Sequence, residues 1–186
     1  VTSQDAMEIV EMVLGGKING EIVAGINASG GKAIGITGKD GVLIEAKPMD
    51  PDGIMGFVGE IVNINPQIIE TIIENGYIPV IAPIGIDQEQ AAYNINADLV
   101  AAAIAVKMKA DKLVLLTDVP GLLQNPQDSN SLISELKVSE VEGYIQQGVI
   151  AGGMVPKVQC CVEAVTGGVG RTHIIDGRVP HSILLE

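Results

Sequence analysis

Short aliphatic runs bounded by glycine or proline alternate with longer segments whose apolar residues recur every three to four positions, and this alternation continues along the whole chain. Side chains of a strand alternate between two faces, whereas those of a helix return to one face about every 3.6 residues, so each segment carries the signature of its own type. Residues 3–14 predict a helix with Ala6, Ile9, Val10 and Val13 on one face and Ser3 as its N-cap. Residues 21–28 predict a second helix, stopped by "SGGK". "AIGITG" predicts a short buried strand, and "GVLIEAKP" and "GFVGEIVNIN" predict the two arms of a hairpin around the Pro/Asp/Gly loop at 48–53. Pro66 opens "PQIIETIIENG" as the first helical residue, with Gly76 as its stop.

Further along, "YIPVIAPIG" predicts a buried strand and "GIDQEQAAY" a polar connection. "NINADLVAAAIAVKMKA" predicts a helix with the stripe Ala97, Val100, Ala101, Ile104, Ala105 and Met108. "DKLVLLTDV" has the continuous apolar character of a strand buried on both faces. "VSEVEGYIQQG" predicts a short helix with Ser139 and Glu142 near the spacing of a capping box. Another helix follows Pro156, "THIID" predicts a strand, and "VPHSILLE" begins a last helix. The order of types argues for an α/β sandwich around a mostly parallel sheet.

The 186 residues suit one domain or two small lobes, and with 47% apolar but only 2% aromatic residues the core must be aliphatic. A net charge of −12 argues against a nucleic-acid surface and against anionic membranes, while leaving room for a locally positive pocket. The two cysteines, Cys160 and Cys161, are adjacent on a helix, cannot staple a fold, and read as buried thiols of a reducing compartment. No apolar run approaches the ~18 residues of a membrane span, and no signal-peptide pattern is present.

Ligands of open α/β sheets collect beyond the carboxyl ends of strands, and three such places carry chemistry here. In "LVLLTDVPGLL", Thr117 and Asp118 end a strand before the turn at Pro120 and Gly121; this reads either as a polar strand exit or as a loop that holds a nucleotide. In "YNINAD", Asn94 and Asn96 precede a helix and Asp98 lies in its first turn; this reads either as ordinary capping or as a substrate contact. In "AGGMVPKVQCC", Lys157 sits in the first turn of a helix, where the dipole already favours negative charge. An exposed lysine can tolerate a cost of about 0.3–1 kcal/mol there. The alternative is a phosphate, which the helix start, the lysine and the close approach allowed by Gly152 and Gly153 all favour.

The G-x-x-x-x-G-K-[ST] loop is absent, and "GGVGRT" fails as a dinucleotide fingerprint. His173 and His181 have no clustered partners in the sequence, so a protein-held metal is not expected.

"NINAD", "LLTDVPGLL" and "GGMVPKV", in this order and context, resemble the amino-acid kinase superfamily and, within it, the acetylglutamate kinases. "VTSQDAMEIVEMVLGGKIN" and "IIDGRVPHSILLE" extend the likeness over essentially the whole chain, closest to the cyanobacterial and plastid type. The resemblance implies a three-layer αβα sandwich with a mostly parallel central sheet. It also implies transfer of the ATP γ-phosphoryl group to the side-chain carboxylate of N-acetyl-L-glutamate. Carried over, Lys157 stabilises the transferring phosphoryl group, Asp98 organises the catalytic lysines, and Asn94 binds acetylglutamate. Asp118, Val119, Pro120, Gly121, Leu122 and Leu123, with Val149, Ile150 and Ala151, line the ATP site, and Gly152 and Gly153 lie close to the phosphates. Magnesium is expected through phosphate oxygens, with no protein ligands. Residues 1–110 are expected to form part of the acetylglutamate lobe and 111–186 the ATP lobe.

The family pattern also has an N-terminal strand with a lysine-bearing glycine loop, a second glycine loop, an arginine just before "VT", and a segment beyond "SILLE", none of which this sequence contains. It is therefore expected to be trimmed at both ends and to have little kinase activity alone, the full-length protein being the active kinase. The likeness of "DGRVPH" to arginine-sensitive members implies arginine as a feedback inhibitor and a PII-type signalling protein as a partner. Family likeness implies a homo-oligomer in the cytoplasm, or in the plastid stroma of a plant or alga. Two other readings remain: a relative acting on aspartate, glutamate, carbamate or UMP, and a non-catalytic module that binds ATP or arginine.

Overall fold

The computed structural model describes residues 1–125, 127, 128 and 130–185. They form two compact units, Val1–Val100 and Ala101–Glu186.

The first unit begins with an unbroken helical run. Helix α1 (Gln4–Val10) passes into a π-helical stretch, Glu11–Ile18, and then into α2 (Asn19–Ala28). Ser3 caps the run as expected, its hydroxyl accepting from the Ala6 N–H at 3.2 Å. Two separate helices were expected, 3–14 and 21–28, with a break between them. The break does not occur because Gly15 meets the strands: a Cβ there would lie 3.1 Å from Thr37 Cγ2 and 3.4 Å from Ile84 Cδ1. The glycine permits close approach rather than chain reversal. The expected apolar face is also corrected. Met7, with Val10 and Leu14, packs on Ala82 and Ile84, whereas Ile9 is 56% exposed.

Strands β1 (Ala33–Thr37) and β4 (Ile78–Ala82) form a parallel pair in the register Gly35↔Val80. Asn19, buried at the start of α2, donates from Nδ2 to the carbonyls of Ile36 at 3.2 Å and Val80 at 2.9 Å. A buried amide must find such partners. Gly35 makes room for it, since a Cβ there would fall 1.8 Å from Asn19 Oδ1. The expected hairpin is observed as β2 (Ile44–Pro48) antiparallel to β3 (Gly59–Ile64), followed by α3 (Gln67–Glu74). Pro66 stands one position earlier than expected, as the cap of α3, and Gly76 terminates it with φ +78°.

The single strand expected over 77–85 is interrupted at Pro83, which cannot donate to a ladder. Beyond it, β5 (Ile84–Ile86) and an unexpected β6 (Ala92–Asn94) join β3 and β2 in a four-stranded ladder of order β3-β2-β5-β6. Helix α4 (Ala97–Lys107) follows. Val100, Ala102 and Ala105 are buried on it, so its apolar stripe is wider than predicted, while Ala97 is exposed.

In the second unit β7 (Lys112–Thr117) pairs in parallel with β8 (Arg171–Asp176), from Lys112↔Arg171 to Thr117↔Asp176. Leu113 and Leu115 are buried, but Leu116 is 51% exposed, so β7 is covered mainly on one face rather than on both. That covered face packs on Ala102, Ala105, Cys160, Cys161 and Ala164. Both cysteines are buried thiols, as expected.

Helix α5 (Val138–Gln146) is closed by Glu140, whose carboxylate accepts from the Lys137 N–H at 2.9 Å; the expected Ser139–Glu142 box lies two residues too late. Helix α6 (Met154–Thr166) starts before Pro156. The segment expected to begin a last helix holds only a 3-10 turn, Ser182–Leu185, with Glu186 outside the described residues. The α/β class and the parallel pairs agree with expectation, and among the described residues the hydrogen-bonded ladders are three separate ones.

Candidate functional site

Asn94 ends β6 and Asp98 lies in the first turn of α4, both in the first unit and both half-buried. Asn96 between them is the helix cap, its Oδ1 accepting from the N–H of Asp98 at 2.9 Å and of Leu99 at 3.3 Å. Within "NINAD" the capping reading therefore applies to Asn96. The Asn94 N–H donates to the Phe57 carbonyl at 2.8 Å, and its Nδ2 reaches Thr2 Oγ1 at 3.5 Å.

Sequence reasoning missed Thr2. It is 6% exposed and forms strand-like bonds with the hairpin loop: its N–H donates to the Met55 carbonyl at 3.0 Å and its carbonyl accepts from Phe57 at 2.7 Å. Gly56, at φ +62°, permits this approach, since a Cβ would lie 2.3 Å from the Thr2 oxygen. A buried threonine next to a loop glycine leaves no periodic signal.

The remaining candidates belong to the second unit. Asp118, Val119 and Pro120 are exposed beyond the carboxyl end of β7, and Thr117 Oγ1 donates to Asp118 Oδ1 at 3.4 Å. Gly121 is buried at φ +128°, and Leu123 forms an antiparallel bridge to Leu132 that the sequence had not suggested. Val149 and Ile150 both donate to the Tyr144 carbonyl, at 3.0 and 3.2 Å, and wrap the chain around the end of α5. Ala151, Gly152 and Gly153 are exposed; Gly152 has φ +56°, and open space adjoins both glycines.

One apolar cluster gathers the second-unit segments. Leu122 from the first loop, Ile150 from the second, and Met154, Val155 and Val158 from α6 pack together with Val141, and Ile150 is 1% exposed. The exposed residues 118–120 and 151–153 and the first turn of α6 thus adjoin a common support. Lys157 is half-buried in that turn, which contains no acid, and the Gly153 cap offers no side-chain acceptor. Of the N–H groups expected to be available at this helix start, those of Met154 and Val155 bond to the carbonyls of Ala151 and Gly152, both at 3.2 Å. Those two N–H groups are therefore already bonded within the chain at the start of α6.

At the carboxyl end of β8, Arg178 grips Asp176 with two side-chain bonds, Nε to Oδ1 at 2.9 Å and Nη2 to Oδ2 at 2.8 Å. These bonds hold the Asp176 carboxyl down at about 2, and the arginine in turn is raised, with Asp118 contributing. Sequence reasoning assigned neither residue a site role; the spacing D-G-R across a strand exit was the available signal.

The amino acid kinase family model matches residues 1–176. The acetylglutamate kinase of Syntrophomonas wolfei subsp. wolfei (strain DSM 2245B / Goettingen) is 80% identical over all 186 residues of the chain, which cover 65% of that protein. The acetylglutamate kinase of Moorella thermoacetica (strain ATCC 39073 / JCM 9320) is 61% identical over the whole chain, which covers 66% of its length. The chain thus spans just under two thirds of these curated relatives. Among solved structures, smu.665 from Streptococcus mutans UA159 superposes with a TM-score of 0.85 at 33% identity, covering 95% of this chain and 70% of that one.

Proposed function

The chain belongs to the amino acid kinase family, and from that premise we propose that its whole protein phosphorylates the side-chain carboxylate of N-acetyl-L-glutamate with ATP, giving N-acetyl-L-glutamyl 5-phosphate in arginine biosynthesis. The relatives named above carry that activity in their names. The observation that carries the reading is Lys157 in the acid-free first turn of α6, beside two open glycines and braced by the cluster around Ile150.

In the reaction a carboxylate oxygen forms a bond to the γ-phosphorus as the bond to the β,γ-bridging oxygen breaks. The nucleophile is already an anion, so no general base is required. What the protein must provide is position and positive charge, as phosphoryl transfer generally demands. Lys157, aided by the dipole of α6, stabilises the charge on the transferring group. Gly152 and Gly153 admit the phosphates against the backbone, and the segments 118–123 and 149–151 hold the nucleotide. Asn94 donates to acetylglutamate, and Asp98 organises the cationic side chains. On this reading residues 1–110 belong to the acetylglutamate lobe and 111–186 to the ATP lobe. A magnesium ion carried by the nucleotide would be held through phosphate oxygens and would offset their charge.

Ile9, Met12, Val13, Ile18 and Ile22, exposed along the helical run 4–28, support a homo-oligomer. Arginine inhibition and a PII-type partner rest on the "DGRVPH" likeness alone. Cytoplasmic action is part of the same proposal; among the described residues no helix is long and apolar enough to cross a membrane.

The test is hydroxylamine trapping of the acyl phosphate, using ATP and N-acetylglutamate with the full-length protein and its Lys157→Ala variant. The variant is expected to lose about 10²–10³-fold in kcat. Unchanged turnover would remove Lys157 from the mechanism, and absence of trapped product in the parent protein would remove the activity.

A further inference from the structure

Resting on the substrate role proposed for Asn94, we infer that Asp87 and Tyr93 form a positioning pair that aims the Asn94 amide. β6 is three residues long, stands at the end of its ladder apart from a single parallel bridge between Asn94 and Val58, and pairs with β5 in the register Ile84↔Asn94, Gly85↔Tyr93, Ile86↔Ala92. So short a strand has few ladder bonds to fix its rotation about its own axis. Neighbouring side chains on a strand point to opposite faces, so Tyr93 and Asn94 are opposed levers on adjacent Cα atoms. Whatever fixes the tyrosine fixes the direction of the asparagine.

Tyr93 is fixed at both ends. Its body is 6% exposed and lies against β3, where a Cβ on Gly59 would come within 2.5 Å of Tyr93 Cβ. Its ring centroid lies 6.1 Å from that of Phe57, the residue whose carbonyl holds the Asn94 N–H. Its hydroxyl donates to Asp87 Oδ2 at 2.9 Å. Asp87 Oδ1 accepts from the N–H groups of Glu89 and Ala91, each at 2.9 Å, while the Asp87 N–H donates to the Ala91 carbonyl at 3.1 Å. One carboxylate therefore closes the turn between β5 and β6 with one oxygen and holds the tyrosine with the other. Burial, then the bond to Asp87, pushes the phenol up to about 12.

The experiment compares Tyr93→Phe, Asp87→Asn, Asn94→Ala and the double variant Tyr93→Phe/Asn94→Ala in the full-length protein, reading KM for acetylglutamate, KM for ATP and kcat separately. Tyr93→Phe and Asp87→Asn are expected to raise the acetylglutamate KM roughly three- to tenfold, the worth of one hydrogen bond, with the ATP KM unchanged. The double variant is expected to be no worse than Asn94→Ala alone, because the pair acts through that residue. A raised KM in Asn94→Ala with none in Tyr93→Phe, or additive effects in the double variant, would overturn the positioning role alone. An unmoved KM in Asn94→Ala would overturn the substrate reading and the positioning role together.

Discussion

Asn94 in the first unit and Lys157 in the second are held by opposite means. Asn94 stands on a hairpin closed by a carboxylate with three hydrogen bonds, and a buried tyrosine fixes its strand. Lys157 stands on a helix start braced by aliphatic packing, next to glycines that have space around them. A polar clamp fixes direction and fails when a donor, an acceptor or a proton is lost. An apolar brace has no preferred direction and fails when volume is lost. Under the proposed function, the first suits a group that must meet one ligand at one angle, and the second suits backbone that must accommodate a flexible triphosphate.

The most damaging single change is expected on the polar side. Gly35→Ala would drive a methyl group into Asn19 Oδ1 and break the amide that bridges β1 and β4, with a loss of about 3–5 kcal/mol from overpacking and orphaned buried groups together. A urea-unfolding midpoint matching the parent would show that Asn19 can move aside. On the apolar side, Ile150→Ala removes a side chain that is 1% exposed and should cost about 2–4 kcal/mol. If the comparison is right, ATP affinity falls and acetylglutamate affinity does not; equal loss of both, measured by calorimetric titration, would break it.

The glycines sharpen the contrast. Gly152→Ala forces a side chain into φ +56° and should destabilise by about 1–2 kcal/mol. Gly153→Ala, at φ −65° with open space around it, should be neutral or stabilise by about 0.4–1 kcal/mol. Thermal melting of the two variants side by side would reveal the difference, and equal shifts would show that the αL position is not what Gly152 supplies.

The smallest effect is invisible at neutral pH. The Tyr93 phenol is held at about 12 against an ordinary 10.0. Below pH 10 both the folded and the unfolded chain keep it protonated and its contribution is complete. Between 10 and 12 the unfolded chain ionises first, so stability falls as pH rises. Tyr93→Phe should flatten that alkaline limb of the denaturation curve, and an unaltered limb would assign it to other groups.

Much of this was legible because it depends on local pattern. The hairpin arms around 48–53, the Ser3 cap, the parallel strands ending at Thr37 and Thr117, and the buried cysteines all follow from residues read a few at a time. What escaped depends on partners distant in sequence. The packed face of the first helix is chosen by Ala82 and Ile84, so Met7 turns inward and Ile9 outward. Pro83 ends one strand and lets the next join another ladder, which placed β6 beyond any reading of "GIDQEQAAY". In the proposed site, the residues with charge or glycine in plain view could be nominated from the sequence. Thr2, Asp87 and Tyr93 could not, because their significance lies in bonds that no periodicity reports.

The π-helical stretch from Glu11 to Ile18 has a consequence for how this protein tolerates changes in length. Bonds of the i→i+5 type take up more chain per turn than an α-helix does, so the run from Ser3 to Asn19 contains surplus residues between two fixed anchors, the cap at one end and the buried amide at the other. Loss of a residue from the exposed side, for instance Gly16, around which there is open space, can be absorbed by winding the stretch into α-helix while both anchors stay in place. The same deletion after Asn19 has no such slack and would rotate α2 off its strands.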